Sequence, residues 1–346
     1  MTVAERPTIT GAVDTDVHVA PAAMDALLPY LDEYWQSYID DATIRLGGMA
    51  YPVGARTTGP PAPDAYAALG EVLDRSQPER AILSCLVLDG VHRNPHYAAA
   101  LATAVNDWLR DEFLARDDRL RAGLTVSTLD IPAAVEELER LAGDRRYAHV
   151  QLPLRNDIPY GNRYYHPLYE AAERHGLPVA LHAWGRGGNA PTTTGVTTTY
   201  LEDYASNAHI AQTQMMSFVA EGVFSTFPDL KVAFLECGFS WLPPQLWRFD
   251  KDWKGVWREV PWVKERPSAY IRRHMRFTTE PAQLPRDAAQ VAQVVEMVGP
   301  ELLMYASDHP HDHGDSSDAL LAHLGEDQVE AILRGNARAF YGERLG

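Results

Sequence analysis

The chain has 346 residues, and its 31 Lys and Arg against 47 Asp and Glu give a formal net charge of −16. This acidic balance argues against a nucleic-acid or anionic-membrane partner, because either would need a clustered positive field. Two cysteines are too few for a disulfide framework, and no apolar stretch approaches the roughly 18 residues of a spanning helix. We therefore expect a cytoplasmic protein with neither of those partners.

Eight short apolar runs along the chain predict eight β-strands. In chain order they cover residues 12–18, 81–88, 120–126, 148–153, 178–182, 231–236, 275–279 and 302–307. The runs are apolar-rich on both faces, as expected for a parallel sheet covered by helices, and segments with helical spacing lie between them. The pattern predicts one α/β domain, residues 1–346, folded as a distorted (β/α)8 TIM barrel. A doubly wound open sheet is the alternative, but no glycine-rich nucleotide motif follows any strand.

Three long insertions distort the predicted barrel. They follow the first, fifth and sixth strands and cover residues of about 20–78, 183–208 and 237–270. Loops after strands form the C-terminal face of a barrel, where active sites lie, so these insertions should surround the site. The third insertion contains five tryptophans, at positions 241, 247, 253, 257 and 262. We expect them to form a packed helix face or the contact of a homodimer.

Histidines and carboxylates stand at the ends of four predicted strands. The first strand ends with Asp16 and His18, which point to the same side because strand side chains alternate. The fifth ends at His182, the sixth at Glu236, and Asp308 follows the eighth. A barrel would bring these ends together, and burying so many ionisable groups costs several kcal/mol each unless a cation compensates. The pattern therefore predicts a metal site at the C-terminal mouth.

These residues resemble the amidohydrolase superfamily. The resemblance rests on the Asp-x-His of the first strand, on His182 and on the Ser-Asp-x-Pro-His run from Ser307, with similar segments along nearly the whole chain. The most similar branch is the amidohydrolase-related group that contains aminocarboxymuconate-semialdehyde decarboxylase and the resorcylate decarboxylases. The resemblance implies a distorted (β/α)8 barrel with the metal at its C-terminal mouth.

Two departures from the family pattern bear on the metal. Asp16 stands where the superfamily usually has a histidine, and Glu236 where the decarboxylase branch often has one. With a further histidine after the fifth strand, the implied metal ligands are Asp16, His18, His182, His209, Glu236 and Asp308. Six ligands, half of them carboxylates, can hold two ions and shift the preference from Zn towards Fe or Mn. In this ligand set the chain also resembles the small branch of amidohydrolase-fold non-heme diiron oxygenases.

The ligand set predicts a dinuclear iron monooxygenase that uses O2 to hydroxylate an aliphatic carbon of a small carboxylate or acyl substrate. The first-strand pair and Asp308 would hold one ion, and His182 and His209 the other. The alternative is a non-oxidative decarboxylase or hydrolase with one divalent metal, Zn or Mn, in which Glu236 or Asp308 moves protons. A catalytically silent subunit with a structural metal is a third possibility, against which the intact ligand set argues.

Further polar residues are candidates for catalysis or substrate binding. His311 and His313 follow the eighth strand, and each could support the metal ligands or be a further ligand. His311 is also a candidate for catalysis, whereas His313 could equally belong to a polar loop. Trp184 and Arg186 follow the fifth strand into its insertion, where we expect them to contact substrate. Arg248 could bind a substrate carboxylate, or it could pair with a neighbouring aspartate.

Overall fold

Eight parallel strands form a barrel at the centre of the molecule. The computed structural model describes residues 9–44, 56–57, 64–87, 93–185, 190, 192, 194–313 and 317–346. The barrel strands are β1 (Val13–His18), β2 (Arg80–Ser84), β3 (Leu120–Thr125), β4 (Tyr147–Arg155), β5 (Val179–Gly185), β6 (Val232–Leu235), β7 (Met275–Thr278) and β8 (Leu303–Met304). Each strand bonds to the next in chain order. The Thr15 N–H donates to the Tyr305 carbonyl, and this bond joins β1 to the segment after β8. The predicted barrel is confirmed.

Helices connect the strands and cover the outside of the barrel. In the described part of the chain they are α1 (Glu33–Asp41), α2 (Ala65–Ser76), α3 (Pro95–Leu109), α4 (Ile131–Leu141), α5 (His166–Arg174), α6 (Tyr200–Ala205), α7 (Asn207–Ala220), α8 (Val223–Thr226), α9 (Leu242–Val256), α10 (Pro267–His274), α11 (Ala288–Val298), α12 (Ser317–Leu321), α13 (Glu326–Glu330) and α14 (Asn336–Tyr341). A π-helical turn, Ala331–Gly335, joins the last two. None of the described helices has both the length and the apolar composition needed to cross a membrane.

Apolar side chains fill the barrel below the carboxyl ends of the strands. The interior cluster comprises Val13, Ile82, Ala148, Ala180, Ala233, Leu235, Met304, Ala337, Phe340, Tyr341 and Leu345. The last four come from α14 and the residues after it. Arg121, near the start of β3, donates to the Leu345 carbonyl at 2.8 Å and so ties the end of the chain to the base of the barrel. With its base closed in this way, the barrel is left with its opposite end for a functional site.

The insertions after β1, β5 and β6 lie where the sequence predicts them. The first contains α1 and α2, the second contains α6, and the third contains α9 and the first half of α10. A two-residue strand of the first insertion, Arg56–Thr57, pairs antiparallel with His311–Asp312 in the segment after β8. The first insertion is therefore connected to the segment that carries His311.

Candidate metal centre

Four side chains from three parts of the barrel converge at its C-terminal mouth. Asp16 and His18 come from β1, His182 from β5 and Asp308 from the segment after β8, and their donor atoms lie within 4.8 Å of one another. His18 Nε2 lies 2.7 Å from Asp308 Oδ1, and His182 Nε2 lies 3.0 Å from Asp16 Oδ2. Two carboxylates and two imidazoles at this spacing form a donor set suited to a divalent transition metal.

An irregularity in β1 accompanies the inward-facing residues of the first strand. The pairing of β1 with β2 shifts register between Asp14 and Val17, which is typical of a β-bulge. Val17 packs in the apolar layer between barrel and helices. Because side chains alternate along a strand, Asp16 and His18 on either side of it turn to the interior, as the sequence predicts.

A second group of side chains extends the centre. Glu236 and His311 approach two members of the first group, again with donor atoms within 4.8 Å. Glu236 Oε2 lies 3.8 Å from His182 Nδ1, and His311 Nδ1 lies 3.2 Å from Asp308 Oδ2. His313 Nε2 contacts Asp308 Oδ2 and lies 3.8 Å from Glu236 Oε1. Three carboxylates and four imidazoles therefore meet at the mouth.

The backbone of two of the carboxylate residues is strained. Glu236 and Asp308 have φ angles of 54° and 53°, in the left-handed region that residues with a side chain rarely adopt. Such a conformation costs about 1–3 kcal/mol and persists only when its surroundings impose it. Here the Glu236 N–H donates to Thr278 Oγ1 and the Asp308 N–H to the Asp16 carbonyl, both at 3.0 Å. Strain of this kind is typical of functional sites.

Burial and neighbouring charges divide the three carboxyl groups into two kinds. Burial by itself would raise the pKa of Asp308, but the charge of His18 and hydrogen bonds from imidazoles outweigh it, so this pKa lies well below its usual range. The pKa of Asp16 is lowered against burial in the same way, by His182 and His18. Burial raises the pKa of Glu236 well above its ordinary value, and the charges of Asp308 and Asp16 add to the effect. The centre thus combines two carboxylates with one group that favours the neutral acid.

The four converging residues fit a divalent cation. Among the described residues, no Lys or Arg pairs with Asp16, Glu236 or Asp308; their ionic partners are all histidines. His182 Nδ1 is buried and has no hydrogen-bond partner in the described part of the chain. A cation would compensate the buried carboxylates, whose desolvation is otherwise costly. Asp16, His18, His182 and Asp308 would hold it, with Glu236 beside them.

Two predicted site residues lie away from this centre. His209 is exposed on α7, because the buried face of that helix is turned to the barrel, and it belongs to neither group of donors. The structure also places His182 against Asp16 rather than with His209 at a separate ion. Arg248 is on the solvent side of α9 with its side chain 79% exposed, and its Nε lies 3.5 Å from Asp252 Oδ2. We therefore remove His209 from the ligand set and Arg248 from the substrate contacts.

The predicted substrate contacts after β5 stay predictions. Trp184 lies in β5, but its side chain and all of Arg186 lie outside the described residues.

Two supporting residues are not predicted from the sequence. Ser84, at the end of β2, donates to Asp16 Oδ1 at 2.6 Å. The Tyr204 hydroxyl on α6 contacts His313 Nδ1. The position of Ser84 at the end of a strand was a usable signal, but the predicted strand ran past it. Tyr204 had no such signal, because it lies on a short helix within an irregular insertion.

Several known proteins resemble this chain, and the relatives below are named as decarboxylases. The gamma-resorcylate decarboxylase of Rhizobium sp. (strain MTP-10005) is 25% identical over 267 residues, which cover 70% of this chain and 76% of the relative. The structure of 2,6-dihydroxybenzoate decarboxylase complexed with 2,6-dihydroxybenzoate has a TM-score of 0.65 and 19% identity, and covers 96% of this chain and 99% of that chain. A dihydroxybenzoic acid decarboxylase from Polaromonas sp. JS666, with bound manganese and the inhibitor 2-nitroresorcinol, has a TM-score of 0.66 and 16% identity, and covers 96% and 97% of the two chains.

These comparisons contradict the predicted diiron monooxygenase. The named relatives are decarboxylases, which agrees with the alternative drawn from the sequence, and one of the solved structures holds manganese. The preference for two Fe ions and O2 rested on a six-residue ligand set that included His209, which the structure leaves exposed. The oxygenase prediction is wrong.

The family assignment covers nearly the whole chain. The family model described as Amidohydrolase matches residues 13–342. This span includes all eight barrel strands and the four converging side chains. The resemblance seen in the sequence is confirmed, and this chain belongs to the amidohydrolase family.

Proposed function

We propose that this protein is a metal-dependent decarboxylase that removes CO2 from a small aromatic carboxylate without an oxidant. The observation that carries the proposal is the convergence of Asp16, His18, His182 and Asp308 within 4.8 Å at the barrel mouth, with Glu236 beside them. The relatives named as resorcylate and dihydroxybenzoate decarboxylases support the reaction, and the manganese-bound neighbour supports a divalent metal such as Mn.

The reaction replaces a carboxyl group by a hydrogen atom. The carbon that bears the carboxylate takes up one proton, and its bond to the carboxyl carbon then breaks with the release of CO2. A divalent cation at the four ligands would supply positive charge that orients substrate oxygens. The chain must supply a proton donor close to the substrate carbon.

Glu236 is the donor that we assign. Its carboxyl group lies beside the four ligands, 3.8 Å from His182 Nδ1, and the strained backbone of the residue holds it at the mouth. Its buried position favours the neutral acid, which is the form that can give up a proton. Asp308, which the sequence also suggested as catalytic, is instead held as a carboxylate by His18 and His311.

Metal-loaded protein and a panel of hydroxybenzoates test this function. Protein stripped with a chelator is reloaded with Mn2+ or Zn2+ and incubated without O2, and the released CO2 is measured. We expect metal-dependent release from at least one substrate, with about one ion per chain. Glu236→Gln keeps the size of the side chain but cannot donate the proton, so kcat should fall by at least about 100-fold. No CO2 from the whole panel, or release of CO2 only when O2 is added, would contradict the proposal.

We also infer that the protein is a homodimer that associates through the tryptophan-rich segment. Trp247, Trp257 and Trp262 are 62%, 48% and 38% exposed, and exposed aromatic side chains are enriched at interaction surfaces. Sedimentation at micromolar concentration measures the assembly, and a monomer would contradict this inference.

A further inference from the structure

We propose that Tyr204 is a positioning residue that fixes the orientation and the tautomer of His313 beside the carboxyl groups of the metal centre. The inference rests on the proposed function, since it assigns a role within the same site. It adds a residue from the insertion after β5 to a centre that is otherwise built from the barrel strands, the residue after β6 and the segment after β8.

The short helix α6 is attached firmly enough to position a side chain. Thr199 and Glu202 form a capping box at its start. Asp203 accepts two hydrogen bonds from Arg155, at the end of β4, each of 2.8 Å. The side chains of Arg155 and Asp203 are only 17% and 12% exposed. A bidentate, largely buried pair of this kind fixes the helix to the rim of the barrel.

Tyr204 and the carboxyl groups hold His313 from opposite sides. The Tyr204 hydroxyl contacts Nδ1, and the two rings stack with a 10° angle between their planes and 5.9 Å between their centroids. The other nitrogen, Nε2, contacts Asp308 Oδ2 and lies 3.8 Å from Glu236 Oε1. The imidazole therefore has a phenol on one nitrogen and carboxyl oxygens on the other.

These partners favour one tautomer of the neutral imidazole. A carboxylate only accepts hydrogen bonds, so the Nε2 that faces Asp308 must carry the hydrogen. The bare Nδ1 can then only accept, and the hydroxyl that it faces is that of Tyr204. Burial raises the pKa of Tyr204, so the hydroxyl keeps its proton. Without that hydroxyl, the other tautomer would turn a lone pair towards the carboxylate.

The assigned role differs from that of a substrate contact. Tyr204 acts on the carboxyl groups through His313, so its loss should disturb the arrangement that supports proton transfer more than substrate affinity. Removing its hydroxyl should therefore lower kcat and leave KM and the metal content nearly unchanged.

A double-mutant cycle tests the connection between the two residues. Tyr204→Phe removes the hydroxyl and keeps the ring, and we expect kcat to fall about tenfold with KM within about twofold of wild type. In a His313→Gln background the same substitution should have no further effect, because its target is gone. The matched control is Tyr164→Phe, at an exposed tyrosine whose hydroxyl donates to the Leu129 carbonyl, and it should leave kcat unchanged. An equal fall in kcat in both backgrounds, or a change in KM alone, would overturn the inference.

Nitrogen-15 NMR tests the tautomer without reference to activity. In zinc-loaded protein with labelled histidines, we expect the Nε2–H tautomer at His313, assigned by the signal that His313→Gln removes. Tyr204→Phe should shift this signal towards the Nδ1–H form. An unchanged tautomer in Tyr204→Phe overturns the inference even in an active decarboxylase. A shifted tautomer in a protein that releases no CO2 supports the inference while the proposed function fails.

Discussion

The hydroxyl group of Ser84 orients the carboxylate of Asp16 in the metal centre. Ser84 donates to Asp16 Oδ1 at 2.6 Å, and both residues are buried. Ser84→Ala removes this hydrogen bond and leaves the carboxylate less well oriented, so affinity for Mn2+ should fall about 10- to 100-fold. Titration calorimetry on the chelator-treated protein measures the affinity. The control is His209→Ala, at the exposed histidine of α7, and this variant should bind Mn2+ as tightly as wild type. Weaker binding of Mn2+ would return His209 to the ligand set.

The strained backbone at Glu236 predicts that glycine at this position gives a more stable fold than alanine does. Its φ of 54° suits glycine, so Glu236→Gly should be more stable than Glu236→Ala by about 1 kcal/mol in the free energy of unfolding. Both variants lack the carboxyl group and should lack decarboxylase activity, so their difference isolates the backbone effect. Urea unfolding of the metal-free proteins measures it. Equal stabilities would show that the backbone at this position is not strained.

Strand geometry determines the positions of some candidate residues of the centre but not of others. Asp16, His18, His182, Glu236 and Asp308 could be predicted to converge, because carboxyl ends of parallel strands meet at one mouth and side chains alternate. His209 and Tyr204 depend instead on how helices of an irregular insertion rotate against the barrel. No periodicity in the sequence determines that rotation, so the sequence places His209 wrongly at the centre and gives no sign of Tyr204.

At the level of secondary-structure elements, α14 closes the base of the barrel. Phe340 is 3% exposed within the interior cluster that includes Val13 and Met304. Phe340→Ala would leave a cavity in that cluster, and the free energy of unfolding should fall by about 3–5 kcal/mol. Urea unfolding compares it with Tyr34→Ala, at a residue that is 69% exposed and should change stability by less than about 0.5 kcal/mol. A similarly small loss of unfolding free energy in Phe340→Ala would show that packing of α14 does not stabilise the closed base of the barrel.

The sequence predicts that the eight strands exist more accurately than it predicts where they end. Apolar runs identify all eight, since a parallel sheet covered by helices is apolar on both faces. The run 302–307 is longer than β8 (Leu303–Met304), because the residues after β8 bond to β1 singly rather than as a regular ladder. The predicted strand 81–88 likewise exceeds β2, which ends at Ser84, and its last residue lies outside the described part of the chain.

For the whole molecule, a buried histidine makes stability depend on pH. His149 on β4 is fully buried, with Nδ1 at 3.3 Å from the Tyr341 hydroxyl of α14. Burial lowers the pKa of His149 from 6.5 to about 4. In the unfolded chain this histidine takes up a proton as the pH falls through 6.5, whereas in the folded protein it stays neutral until about 4. Its contribution to stability is therefore complete above pH 6.5 and is lost as the pH falls towards 4.

The size of this effect can be isolated by substitution. The shift corresponds to about 3 kcal/mol of unfolding free energy between neutral pH and pH 4. Other acidic groups also titrate in this range, but they do so in wild type and variant alike. Between pH 7 and pH 4, His149→Gln should therefore lose less unfolding free energy than wild type does. The difference between the two losses should be up to about 3 kcal/mol, and urea unfolding at each pH measures it. His323→Gln, at an exposed histidine, should keep the wild-type dependence. If His149→Gln also keeps it, the acid sensitivity of the fold originates outside the barrel interior.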